Sequence, residues 1–276
     1  MNLLWATLIV AGVTALAVAV MLLVRRGAPE GSYFEDGDRA SGVFGVLATG
    51  FAVLLGFVVF LAFESFDSAR AGSEAEARIV AEQFETAQFL PPAAGARLSG
   101  QLVCYARSVV GREWPQQESG SDGGLLNPWA VELFLTLEST EPESASEQAA
   151  FGKWLDLTTA REEARADRTH GAEGVIPLHL WIVLFVSSAV IFVYMLYFAD
   201  RAERRKVQAT LVGGVAIVIT STMLLLWFLD NPFHGGAGSL RPAAMERTLD
   251  IIEQGAAAIG ASFEIPCDEN GVPVAG

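Results

Sequence analysis

Lysine is almost absent from this chain, histidine and cysteine are rare, and charge is missing where the apolar runs are longest. Each shortage excludes something. The three histidines, His170, His179 and His234, are scattered, with no cysteine or acidic residue at metal-ligand spacing beside them. No metal site is expected, and chance placement accounts for the histidines. No run of Lys and Arg offers the basic footprint that nucleic acid requires, and the formal net charge is −14. The same lack of a polybasic run argues against docking on anionic lipid heads. There is no Gly-rich phosphate loop, nucleophile elbow or zinc-protease motif, so neither an enzyme nor a cofactor is expected. Period-2 alternation and long internal repeats are missing as well.

What is present is apolar. Of the 276 residues 52% are hydrophobic and only 18% charged, and four separated runs carry the excess. They are Leu3–Val24, Val43–Phe63, Ile176–Phe198 and Val207–Leu229, each of 21 to 23 residues and none with a charged side chain inside. About 20 residues cross a hydrocarbon core, and within lipid the backbone must satisfy itself, so each run predicts a spanning helix. The first run has no basic residue before it and Arg25–Arg26 after it, which predicts a retained span rather than a secretory signal.

The predicted fold is therefore all-α. Four transmembrane helices carry a helical extramembrane domain between spans 2 and 3, and a short helical tail follows. The divisions are 1–63 with the first two spans, 64–173 as the acidic domain, 174–229 with the last two spans, and 230–276 as the tail. The second span runs on without a proline into a polar, Ala- and Glu-rich stretch to Leu90, predicting one long helix half in lipid and half in water. Further helices are expected from Pro92 to near Trp114–Pro115, over 129–138, over about 145–167, and from Pro242 to about Ala261. The last residues read as loosely held.

Orientation follows Lys and Arg near the spans. The loops 25–40 and 199–206 hold seven basic residues: Arg25, Arg26, Arg39, Arg201, Arg204, Arg205 and Lys206. The opposing flanks hold Arg70, Arg78, Arg161, Arg165 and Arg168. The short loops win on density and are expected in the cytoplasm, with both termini and the acidic domain outside a bacterial inner membrane. The arginine excess fits a GC-rich bacterial genome. Region 64–173 carries a net −10 and the tail a net −5, so nearly all the negative charge falls outside. Cys104 and Cys267 then share the oxidising side, where a disulfide would tie the tail to the domain; two unpaired buried thiols are the alternative.

Small residues recur at four-residue spacing, Ala11–Ala15–Ala19 in the first span and Gly45–Thr49 and Ala48–Ala52–Gly56 in the second. The simplest expectation is close helix packing. The hydroxyls of Thr220, Ser221 and Thr222 bond back to their helix or reach a neighbour. Glu64 and Asp67 close the second span, either as a carboxylate ring around an oligomer axis or as a solvated helix end. Glu113, beside Trp114 and Pro115, is a ligand contact or, more simply, a capped helix end.

Three stretches together resemble a large family of uncharacterised bacterial membrane proteins called bestrophin-like. They are LLGFVVFLAFESFDSARAGSEAEA (54–77), YARSVVGREWP (105–115), and LDNPFHGG (229–236) followed by Pro242. The family takes its name from bestrophins, pentameric anion channels whose pore helix carries a Leu-Gly-Phe run, matched here by Leu55, Gly56 and Phe57. The resemblance implies a homo-oligomeric pore through the lipid bilayer, passing small inorganic ions. Phe57 would stand at the hydrophobic neck, with Val53 and Thr49 one and two turns back on the same face. The chain departs from bestrophins in lacking the proline before the neck, in placing polar Thr49 there, and in an acidic domain expected outside rather than in the cytosol. Two functions stay open. One is an ion channel lined by the second span; the other is a non-conducting scaffold or envelope sensor whose acidic domain binds a partner or cations.

Overall fold

The computed structural model describes residues 3–120 and 126–274. It is all-helical apart from loops and one isolated bridge between Cys267 and Pro273. In chain order the helices are α1 (Leu3–Gly27), α2 (Gly37–Ala87), α3 (Pro92–Ser108), α4 (Trp114–Glu118), α5 (Pro128–Glu138), α6 (Ala145–His170), α7 (Leu178–Tyr197), α8 (Arg205–Asp230) and α9 (Ala243–Ile259). Four of them, α1, α2, α7 and α8, are long and apolar enough to cross a membrane. The chain divides into two compact units, Met1–Ser65 with Gly174–Asp230 and Phe66–Glu173 with Asn231–Gly276. The 51-residue α2 contributes its apolar part to the first and its polar part to the second.

In the first unit α1 packs on α8. The backbone of Gly213 approaches closely enough that a Cβ there would lie 3.5 Å from Val18 Cγ2 and 3.6 Å from Thr14 Cγ2. The face of α1 used is thus Thr14–Val18–Met21, and Ala11, Ala15 and Ala19 are exposed within the chain. The helix-packing expectation for that alanine stripe is not met inside one subunit. Thr222 donates to Val218 O at 2.8 Å, bonding back to its own helix. Buried Arg25 knits the two short loops together, donating to the carbonyls of Asp200 (2.9 Å), Arg201 (2.8 Å) and Glu203. The Asp200 carboxyl accepts from the N–H of Ala202 (2.7 Å) and Gly31 (3.1 Å), and these bonds hold it below the usual carboxylate range.

The second unit is organised around α3, whose residues from Leu98 to Ala106 are all buried. Asn127 caps α5 by accepting from Trp129 N–H at 3.0 Å. Ser144 and Glu147 form a capping box on α6, which fixes where that helix starts. The helix beginning at Pro92 does not stop near Trp114–Pro115. It passes through a π turn, Val109–Glu113, into α4, where Pro115 stands in the first turn and its missing N–H costs nothing. Nor is the tail loosely held. Cys267 is bonded to Cys104 (Sγ–Sγ 2.02 Å) across 163 residues. Trp129 Nε1 donates to Gly271 O at 2.7 Å, and Arg107 donates to Asp268 O at 3.3 Å. At Gly100 any side chain would strike Glu264 O, since a Cβ would sit 2.0 Å from it. Composition made residues 262–274 read as a free end; a disulfide and side chain–backbone bonds hold them instead.

Candidate functional site

The apolar part of α2 has two unlike faces. Phe51, Leu55, Val58 and Ala62 are buried against the rest of the first unit. At 100° per residue, Thr49, Val53, Phe57, Phe60, Glu64 and Asp67 fall within an arc of about 80° on the other side. All six are exposed, Phe57 at 67% and Phe60 at 61%. A Cβ added at Gly42, Gly45 or Gly56 would meet nothing within 4 Å. The Leu-Gly-Phe run is therefore split. Leu55 packs inward, whereas Gly56 and Phe57 face away from the subunit.

The polar part of α2 leads to a different site, which the sequence only half disclosed. Gly72 lets α6 approach so closely that a Cβ there would lie 2.7 Å from Ala164 O. One turn on, fully buried Glu76 accepts from Arg168 Nε at 2.6 Å, from Arg168 Nη2 at 3.2 Å and from the Tyr105 hydroxyl at 2.6 Å. Arg168 also donates to Glu113 Oε2 (2.8 Å) and Gln117 Oε1 (3.1 Å). Glu113 Oε1 receives Arg165 (2.7 Å) and Asn127 Nδ2 (2.8 Å). Buried Arg161 lies over the Tyr105 ring at 4.7 Å and donates to Gln83 at 3.0 Å. Burial alone would raise the Glu113 carboxyl, but the Arg168 and Arg165 guanidiniums outweigh it and hold it below its ordinary value. Burial, with Glu76 beside it, pushes the Tyr105 hydroxyl well up. Each buried charge has an opposite partner, which is what makes its burial tolerable.

Glu113 is thus neither a ligand contact nor a simple cap, but a carboxylate held between two arginines. Arg161, Arg165 and Arg168 entered the sequence argument only as flanking charges. The overlooked signal is that Trp154, Leu157, Arg161, Ala164 and Arg168 form one three-and-four-spaced stripe, with arginines continuing a core face of α6. Among the described residues no group of three or more His, Cys, Asp and Glu could hold a metal ion. His234 Nδ1 meets Asn231 O at 2.7 Å in the loop after α8. The paired cysteines lie in the core of the second unit.

The family model for the bestrophin-like domain matches residues 11–245. The chain belongs to the bestrophin-like family. Its matched region spans all four apolar helices and the ion-pair network. A solved structure of a bacterial bestrophin homologue from Klebsiella pneumoniae, a point mutant, is 14% identical. It superposes with a TM-score of 0.67, covering 89% of this chain and 98% of that one. A second structure of a bacterial bestrophin homologue from Klebsiella pneumoniae is 16% identical, with a TM-score of 0.64 over 91% and 99% of the two chains. At such identities the likeness is one of fold. Comparison with curated proteins finds no match. The bestrophin-like chain thus keeps a shared architecture while its sequence has changed at most positions.

Proposed function

We propose that this membrane protein is a homo-oligomeric ion channel lined by α2. The observation that carries it is the two-faced apolar part of α2: one face is packed within the subunit, and the face holding Thr49, Val53 and Phe57 is left uncovered. Copies arranged about an axis would bring Phe57 and Val53 together as a hydrophobic constriction that gates by dewetting. Thr49 would lie on the cytoplasmic side of it, and Glu64 and Asp67 would ring the outer mouth. Carboxylates there favour cations at that entrance, since potentials persist over a Debye length of about 8 Å at physiological salt. Purified protein in liposomes should pass ions, and Phe57→Ala should alter the conductance. A monomeric, electrically silent protein would sink the reading.

The absence of any charged side chain inside a span favours a second reading, a non-conducting scaffold or envelope sensor, because intramembrane ionisable groups usually mark ion pathways. Capture of a specific partner, unaffected by Phe57→Ala, together with silent liposomes, would select it.

We place both termini and the acidic domain outside a bacterial inner membrane. Two features support this. The Cys104–Cys267 disulfide belongs to an oxidising compartment. Arg161, Arg165 and Arg168, which weighed against the orientation, are engaged in the ion-pair network rather than lying free at the membrane surface. Cells quenched with an alkylating agent should show the disulfide on a non-reducing gel. Free thiols under those conditions would reverse the orientation.

A further inference from the structure

A pocket of about 420 Å³ in the second unit lies between the polar part of α2 and the segment leading into α9. It gathers Arg70, Ser73, Glu74, Ser239, Arg241 and Arg247. The tail 230–276 carries seven acidic residues and only two basic ones, Arg241 and Arg247, and both line this pocket. Among the described residues neither has a hydrogen-bond or ion-pair partner. Arg70, 171 residues away from Arg241, completes a basic cluster that no run in the sequence announces. Glu74 is the lone acidic lining residue, and it is engaged by Arg70 at 3.2 Å. Two further features are those of an anion site. Ser73 is only 8% exposed, yet its hydroxyl lines the pocket with no partner among the described residues. The 17-residue α9 starts here without a side-chain cap, and its first bond runs from Glu246 N–H to Pro242 O. The N–H groups of Ala243 and Ala244, both lining residues, are therefore left to a ligand at the positive end of the helix.

We propose that this pocket binds a phosphate group, supplied either by an anionic lipid headgroup or as free phosphate. Guanidiniums suit such a group because their N–H forks match oxyanion geometry. A lipid source is within reach along α2 itself. Arg70 stands seven residues after Phe63, the last residue of the apolar run, about 10 Å of helix rise. That is roughly the depth of a headgroup layer, given a bilayer of about 40–45 Å around a 30 Å core.

The test uses full-length protein. Inorganic phosphate is titrated calorimetrically in detergent. Lipid retention is measured by native mass spectrometry from nanodiscs of phosphatidylglycerol against phosphatidylcholine. The pocket variant is Arg241→Gln/Arg247→Gln. The control, Arg97→Gln/Arg112→Gln, removes the same charge from exposed sites on the same unit. Ser73→Ala tests the pocket without changing charge, and a melting curve checks folding of all three. Affinity for the bound probe should fall about tenfold or more in the double pocket variant, less in Ser73→Ala, and under about twofold in the control. Saturable inorganic phosphate binding that the pocket variant loses identifies a free-phosphate site. Retained phosphatidylglycerol that the pocket variant loses, with no inorganic phosphate bound, identifies a headgroup site. Equal loss in pocket and control variants, or a wild type that holds neither probe, overturns the proposal.

Discussion

The two parts of α2 obey opposite rules within one helix. In the apolar part the large side chains Phe57 and Phe60 are the exposed ones, whereas in the polar part Glu76 and Gln83 are fully buried. Lipid does not drive apolar surfaces together, so a spanning helix leaves its bulky side chains outward unless another helix meets them. In water the burial of apolar surface encloses whatever shares that face, and polar groups caught there must find partners. The same chain thus carries an apolar surface waiting for a neighbour and a polar core already satisfied.

The contrast breaks most severely at the polar core. Arg168→Ala should cost about 3–5 kcal/mol, because it leaves Glu76 and Glu113 buried without their shared cation. Chemical unfolding in detergent should show this, while Arg168→Met paired with Glu76→Gln should recover part of the loss. Next comes the tail. Removing the disulfide with Cys104→Ser/Cys267→Ser should cost about 2–5 kcal/mol, and a reductant should reproduce the effect in the wild type only. Acid should then weaken the polar unit selectively. Since Glu113 is depressed in the folded state, its contribution is complete above the ordinary carboxylate range and lost as pH falls through the depressed value. Unfolding followed from neutral to strongly acidic pH should show that loss, and Arg165→Gln should flatten it. At Phe57 the expectation reverses. Phe57→Ala should change stability by no more than about 0.5 kcal/mol while changing conductance several-fold, because its side chain meets little within the subunit. The smallest effect belongs to the exposed Arg70–Glu74 pair, where Glu74→Gln should shift stability by no more than about 0.5 kcal/mol.

The spans were legible because bilayer thickness sets their length and the cost of charge keeps them clean, both properties of single segments. Capping chemistry likewise announced α6 through Ser144 and Glu147. The polar network was not legible, since Glu76 and Arg168 lie 92 residues apart and neither forms a local motif. Arginines on the α6 stripe looked like surface charge because core positions are expected to be apolar. The tail misled for a similar reason. Its polar, Gly- and Pro-containing composition resembles a free end, while its anchors, Cys104 and Trp129, come from distant parts of the chain. For the α2 face, periodicity placed Thr49, Val53 and Phe57 together but was silent on which side of the helix its own subunit would cover.

The π turn at Val109–Glu113 lodges one surplus residue in a helix that is otherwise regular. Eight positions separate Tyr105 from Glu113, which in an unbroken helix would swing the glutamate about 80° away around the axis; the surplus residue brings that offset to about −20°. Excising Gly111 alone should therefore tighten the turn into ordinary winding and carry Glu113 out of line with its arginines. The family's YARSVVGREWP stretch is in that sense a spacing device, in which the number of letters matters as much as their identity.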